Sequence, residues 1–365
     1  MKGAYISLSW KSVQFMLGEV RGCLKVTEFD YHLPEDLVAQ DPVDCRDQSR
    51  LMIVRRDTET LEHRMFRDIK EYLRPGDVLV LNETRVIPAR LMGKRAGTGG
   101  QVEVLLLRKR EAGIWEVLVR PGRKALPGTV LIFGEGMLKG KVLETTDIGG
   151  RLVHFESPDP FEEVLDKIGK MPLPPYIKKY PIDPQRYQTV YARSEGSVAA
   201  PTAGLHFTED LLGAIRRSGV KVVSVLLHVG LGTFRPVQAE DIRDHRMHEE
   251  YYEISPETAE TINTALQTHG SRVIAVGTTT VRCLETGAGG RGCLSPGSGY
   301  TDIFIYPGYK FNVVQGLVTN FHLPRSTLLM MVSALAGREK VLRAYREAVE
   351  RRYRFFSFGD AMLIL

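Results

Sequence analysis

The sequence predicts a layered α/β protein with a small all-β barrel inserted into it. Two patterns carry that prediction. In the second half of the chain, short branched apolar runs alternate with amphipathic helical stretches, the order expected of strands and helices packed in layers. Between residues 83 and 155 the helical period disappears, and short apolar runs alternate with Gly/Pro turns at even intervals, as in a closed barrel. The length suits both, since 365 residues accommodate about two domains with substantial cores. The expected division is an extension over 1–24, a main α/β domain from 25–82 and 156–365, and the barrel over 83–155.

The elements follow in order. Ser7, Ser9, Lys11 and Gln14 break up the first 24 residues, which make a poor signal peptide and read as a loosely ordered extension or a start codon assigned too early. Leu51 to Val54 is an apolar strand. Arg67 to Leu73 reads as a short helix ended by Pro75-Gly76, and Asp77 to Asn82 as a buried strand. The barrel runs are Gln101 to Leu107, Ile114 to Val119, Thr129 to Phe133, Lys139 to Glu144 and Leu152 to Phe155. A proline-rich entry, Pro172 to Ile177, leads back to the main domain. Thr208-Glu209-Asp210 is an N-cap and acidic first turn for a helix that Gly219 stops. Lys221 to Leu227 is a strand, and Ser255-Pro256-Glu257 opens a helix that Gly270 ends. Arg272 to Val276 is a strand that turns at Gly277 into another helix. A basic amphipathic helix over Arg338 to Tyr353 and a core strand from Phe355 to Ile364 finish the chain.

Composition removes several function classes. With 43% hydrophobic and 25% charged residues the chain is neither disordered nor fibrous. No apolar run reaches the roughly 18 residues of a membrane span. Cys23, Cys45, Cys283 and Cys293 lie far apart without CxxC spacing, so free thiols in a reducing cytoplasm are expected. The net charge of +5 is compatible with a nucleic-acid partner and weak evidence for one.

The chemistry-bearing stretches cluster at strand ends. Arg193 to Thr208 is rich in small residues and runs into a helix N-terminus, a common construction for an anionic-ligand site; a tight, well-packed loop is the other reading. Within it Pro201 fixes one dihedral, and Thr202 and His206 supply polar groups. No GxxxxGK[ST] is present, and Val229 to Phe234 holds only Gly230 and Gly232 of a dinucleotide loop. His228 stands at a strand end, where α/β sheets place ligands, with a satisfied structural histidine as the alternative. His245 to Glu250 lacks HExxH spacing, so no metal is expected; His248 with Glu250 reads as a proton-transfer pair or as a solvated turn. Thr278, Thr279 and Thr280 open a helix after Gly277, where capping explains one threonine and not three. In Thr319 to Thr327, capping by Ser326 or Thr327 leaves Asn320 and His322 without a role.

Together these segments resemble the S-adenosylmethionine:tRNA ribosyltransferase-isomerases of queuosine biosynthesis, from about Val26 to Leu365. The resemblance rests on Asn82 to Leu91, Tyr187 to Ala192, Gly196 to Thr208, Leu227 to Phe234, His245 to Glu250, Val276 to Arg282, Thr319 to Pro324 and Tyr353 to Met362. The chain departs from the usual pattern at Glu83, where the family has aspartate, and at Gln315, which replaces an aspartate and removes a charge. The resemblance implies a reaction without metal or redox cofactor, in which S-adenosylmethionine is consumed as a ribosyl donor. The implied acceptor is 7-aminomethyl-7-deazaguanine in the tRNA anticodon, and the products are epoxyqueuosine in tRNA, adenine and methionine. Such chemistry needs a base for a proton beside the sulfonium and an acid for departing adenine. His206, His228, the His248–Glu250 pair and His322 are the candidates, and their roles stay undivided. Substrate contacts are expected from Ser197, Pro201, Thr202, Gly204, Phe207, Gly230, Gly232, Thr233, Thr278, Thr279 and Asn320, with Arg282 on the methionine carboxylate and Phe207 or Phe234 facing the sulfonium. Arg85 and Arg90, together with Arg343, Arg346, Arg351 and Arg352, are the expected tRNA contacts.

Overall fold

The structure is a computed structural model that describes residues 24–146, 149–178, 183–230, 237 and 239–365. Apart from Leu24, the expected N-terminal extension lies outside these residues. Strand β1 (Arg50–Val54) pairs antiparallel with β2 (Leu61–Met65), and a 3-10 turn over Phe66–Glu71 stands where a short helix was expected. β3 (Val78–Asn82) follows, buried along its whole length. Asp77 sets its start: the buried carboxylate accepts from the backbone N–H groups of Arg74 and Arg272 and from the Arg272 guanidinium, at 2.6–3.2 Å.

After the short β4 (Thr84–Val86) come β5 (Arg90–Arg95), β6 (Gln101–Glu111), β7 (Ile114–Arg120), β8 (Val130–Phe133), β9 (Leu138–Thr145) and β10 (Arg151–Glu156). They pair antiparallel in the order β5-β6-β7-β10-β9-β8, and β8 returns to β5, closing a six-stranded barrel. Alternate residues point inward, so Val104, Leu106, Val117, Leu131, Phe133, Val142 and Val153 fill the core. Closure depends on Gly93: a Cβ there would lie 2.4 Å from the Phe133 ring across the β5–β8 seam. Arg151 is buried at one end, where it donates to the carbonyls of Gly122, Ala125, Gly149 and Gly150 at 2.6–3.1 Å and satisfies loop backbone. Helix α1 (Phe161–Ile168) adds Val164 and Leu165 to this core, with Phe161 stacked on Trp115. β11 (Gly169–Lys170) pairs with β5, and β12 (Ser194–Ser197) runs parallel to β4. Gln188 extends that short ladder, its amide accepting from Val86 N–H (3.0 Å) and donating to Val86 C=O (2.8 Å).

Helix α2 (Glu209–Arg217) begins where the sequence places it, with Thr208 Oγ1 accepting from Leu211 N–H at 3.1 Å. Next come β13 (Lys221–Leu227), β14 (Glu250–Ile254), α3 (Pro256–Gln267), β15 (Val273–Val276), α4 (Thr278–Ala288), β16 (Gly297–Thr301) and β17 (Gly316–Asn320). Helices α5 (Thr327–Ala336) and α6 (Arg338–Glu350) and the last strand β18 (Ala361–Ile364) finish the chain. The sheet order is β16-β14-β13-β3-β15-β17-β18-β1-β2, with β13, β3, β15 and β17 mutually parallel. α6 docks through Val341, Ala344, Tyr345 and Ala348, at helical spacing. The final strand is shorter than expected. Asp360 accepts from the N–H groups of Arg50 and Arg354, both at 2.8 Å, which folds the chain back before it can extend.

By compactness, the described parts of Met1–Asn82, Thr202–Leu226 and Arg235–Leu365 make one unit, and those of Glu83–Pro201 and Leu227–Phe234 the other.

Candidate active site

In the first unit, polar side chains gather at the carboxyl ends of parallel strands, where open α/β sheets hold ligands. β3 ends in Asn82, β15 in the Gly277 turn, and β17 in Asn320. Asn82 Nδ2 donates to Thr279 Oγ1 at 3.2 Å. Gly277 has φ +91, a backbone that disfavours side chains, and a Cβ there would meet Ala203 at 3.7 Å. The 3-10 turn Thr202–His206 therefore packs close to the start of α4. The N-cap residue is Gly277, which has no side chain to cap with; Thr280 Oγ1 donates back to Val276 C=O at 2.6 Å, Thr279 is engaged by Asn82, and Thr278 is buried. None of the three threonines therefore stands at the capping position itself.

One hydrogen-bonded chain crosses the end of β17. Thr202 Oγ1 donates to Asn320 Oδ1 (2.9 Å), Asn320 Nδ2 faces His206 Nε2 (3.1 Å), and His206 Nδ1 faces Ser49 Oγ (2.7 Å). His206 is 4% exposed and stacks on Phe66 with ring centroids 4.9 Å apart. Burial, with the Arg46 and Arg354 charges adding to it, lowers its pKa from 6.5 to about 3. His322 is likewise buried and neutral, lowered to about 3 by desolvation, with Nε2 against Thr319 Oγ1 at 2.7 Å. Its peptide is clamped: the N–H donates to Tyr345 Oη and the C=O accepts from Tyr31 Oη. Phe321 beside it sits fully buried among Tyr345, Tyr353 and Phe355. Gly204 and Phe207 are buried as well, and Phe207 packs edge-on to Phe66, with no face open to a sulfonium.

Two residues given separate roles by sequence hold each other instead. Arg282 (3% exposed) is ion-paired with Glu250 (5% exposed), and its remaining donors reach the carbonyls of Ile303 and Thr301, both at 3.2 Å. Arg282 is thereby committed within the fold. His248 is exposed, whereas the Glu250 carboxylate expected to work with it is buried and ion-paired with Arg282.

In the second unit, β4 and β12 carry another set. His228 is half-buried, with Nδ1 at 2.9 Å from Thr84 Oγ1. Its ring edge lies against Gly196, where a Cβ would approach to 2.7 Å and φ is +143. Ser197 Oγ accepts from Val229 N–H at 2.7 Å, tying the strand carrying Gly196 to the segment carrying His228. Pro201 is buried and Gly230 half-buried, while Gly232, Thr233 and Phe234 lie outside the described residues. Arg85 pairs with Glu195 at 3.6 Å; Arg90 donates to Leu173 C=O at 3.2 Å and faces Glu103 at 3.8 Å. On α6 and just beyond it, in the first unit, Arg343 pairs with Glu59 (2.6 Å), Arg351 with Glu347 (3.0 Å) and Arg352 with Asp36 (2.6 Å). Exposed pairs of this kind are weakly held, because water screens both charges.

Sequence reading missed Ser49, Asn82 and Thr84 as site residues. Ser49 carries no local signal, since only the fold brings it to a histidine 157 positions away. Among the described residues no group of three or more His, Cys, Asp and Glu is arranged to hold a metal ion, and no helix is long and apolar enough to cross a membrane.

A model of the queuosine biosynthesis protein family matches residues 26–364. The chain belongs to this family. It is 63% identical over 342 residues to the S-adenosylmethionine:tRNA ribosyltransferase-isomerase of Desulforamulus reducens, spanning 94% of this chain and 100% of that one. A relative of the same name from Pelotomaculum thermopropionicum is 62% identical over 342 residues, with the same coverage. The crystal structure of S-adenosylmethionine tRNA ribosyltransferase from Thermotoga maritima is 44% identical, covers 93% of this chain and 100% of its own, and superposes with a TM-score of 0.54. The family resemblance, the enzymatic character and the α/β fold with its closed barrel expected from sequence are those found.

Proposed function

We propose that the protein is a cytoplasmic S-adenosylmethionine:tRNA ribosyltransferase-isomerase. It transfers and isomerises the ribosyl group of S-adenosylmethionine onto 7-aminomethyl-7-deazaguanine at the tRNA wobble position, leaving epoxyqueuosine in the tRNA and releasing adenine and methionine. The observation that carries this reading is the 63% identity spanning the whole length of a relative so named.

The arrangement of side chains supports it. In this reading the donor lies at the strand ends of the first unit. The first turn of α4, which begins at Gly277, receives the methionine carboxylate, the role that Arg282 is too committed to fill. Thr202 and Asn320 offer hydroxyl and amide groups to the ribose. The sulfonium acidifies the adjacent C5′ hydrogens, and loss of one starts the departure of adenine. Among the candidate histidines, taken one by one, His228 is half-buried and oriented through Nδ1 by Thr84, the partial exposure that proton transfer calls for, whereas the rings of His206 and His322 are deeply buried. No metal or redox cofactor enters this scheme.

The test is mass analysis of tRNA carrying the aminomethyl base after incubation with protein and S-adenosylmethionine. The expected result is a gain of an epoxycyclopentanediol group with free adenine and methionine. Formation of S-adenosylhomocysteine would place the protein among methyl transferases and overturn the reading.

A further inference from the structure

We infer that His206 is a positioning residue, acting on substrate only through Asn320 and Thr202, and that the hydroxyl of Ser49 selects the tautomer that makes this possible. The inference rests on the proposed reaction for its activity readout and on the hydrogen-bond chain for its geometry. As the amide is oriented, Asn320 Oδ1 accepts the Thr202 hydroxyl proton, so Asn320 presents N–H to His206. His206 Nε2 must then be the unprotonated nitrogen, and the ring proton sits on Nδ1, pointing at Ser49 Oγ. Ser49 closes the chain by donating to Arg46 C=O at 3.4 Å. Both ring nitrogens are engaged within the protein. Ser49, His206 and Asn320 are almost wholly buried, and Thr202 is the half-buried end of the chain.

The consequence is directional. With its proton directed at Asn320, the Thr202 oxygen keeps its lone pairs for a donor on the ligand, and Asn320 keeps a second N–H. Remove the Ser49 hydroxyl and the Nδ1 proton loses its acceptor. The other tautomer then sets N–H against N–H at Asn320, the amide turns over and donates to Thr202, and the Thr202 hydroxyl proton loses its acceptor. A side chain with no expected substrate contact thus governs the polarity of one that has it.

The test compares His206→Gln, His206→Ala and Ser49→Ala by adenine release, with thermal unfolding to confirm folding. Glutamine places a neutral acceptor where Nε2 stands and cannot exchange a proton near neutrality. His206→Gln should keep kcat/KM within about threefold of the parent, while His206→Ala and Ser49→Ala lose about tenfold, mostly through KM for S-adenosylmethionine. The acid limb of the pH–rate profile should persist unchanged in His206→Gln. A folded His206→Gln as inactive as His206→Ala, or one lacking that limb, overturns the inference. An activity-independent readout separates this from failure of the proposed reaction. In 15N spectra of histidine-labelled protein, the resonances absent from His206→Gln should show a protonated Nδ1 and a bare Nε2 from pH 8 to 5, and should change tautomer in Ser49→Ala. A protonated Nε2 in the parent refutes the inference whether or not adenine is released.

Discussion

Single residues in this protein owe their chemistry to what encloses them. Arg282 shows the principle: its type and position suit a carboxylate ligand, yet the fold supplies Glu250 at its guanidinium and two carbonyls for the rest. Removing one partner of a buried pair strands the other charge, so Arg282→Met should cost about 3–5 kcal/mol in urea unfolding. Unchanged stability with a raised KM would instead place Arg282 on the substrate. His206 and His322 give a pH prediction. Both hold folded pKa values near 3, against 6.5 for an ordinary histidine, because burial penalises the charged ring. The unfolded chain then binds protons that the folded one does not, so stability conferred by the neutral rings is intact above pH 6.5 and is lost as pH falls toward 3. Each histidine contributes a slope of up to about 1.4 kcal/mol per pH unit in that window. Unfolding midpoints measured from pH 8 to 4 should fall less steeply in His206→Gln and His322→Gln than in the parent; equal slopes would contradict the neutral assignment.

Elements position these residues through their ends. β3, β15 and β17 stop at Asn82, Gly277 and Asn320 because polar or glycine residues follow branched apolar runs, a pattern readable in sequence. The cap residues Thr208 and Ser255 were equally legible, since capping is a local interaction, while the structure decided for Ser326 over Thr327. The pairing of β12 with β4 was not legible: it joins residues more than a hundred positions apart and lays Gly196 against the His228 ring. A methyl group there meets the ring edge at 2.7 Å and adopts a φ of +143. Gly196→Ala should therefore push His228 from Thr84 and lower kcat/KM about 100-fold, a typical penalty for a displacement near 1 Å. Retention of full rate in a folded Gly196→Ala would remove His228 from the chemistry.

For the whole molecule, the proposed RNA partner sets a salt dependence. If exposed arginines such as Arg351 and Arg352 exchange carboxylates for phosphates, the tRNA dissociation constant should rise steeply with salt, and Arg351→Ala with Arg352→Ala should flatten the log–log slope by roughly 0.7–0.9 per lost contact. An unaltered slope would move the RNA footprint elsewhere. The amino-acid order alone determined the fold class, most strand positions, the helix caps and the family, because periodicity, capping and motif order are properties of neighbours along the chain. Only the tertiary structure decided partners: that Arg282 meets Glu250, that Ser49 meets His206, and that the final strand stops short because Asp360 gathers the N–H groups of Arg50 and Arg354. Those contacts join residues distant in sequence, and their energies come from burial, which no local pattern encodes.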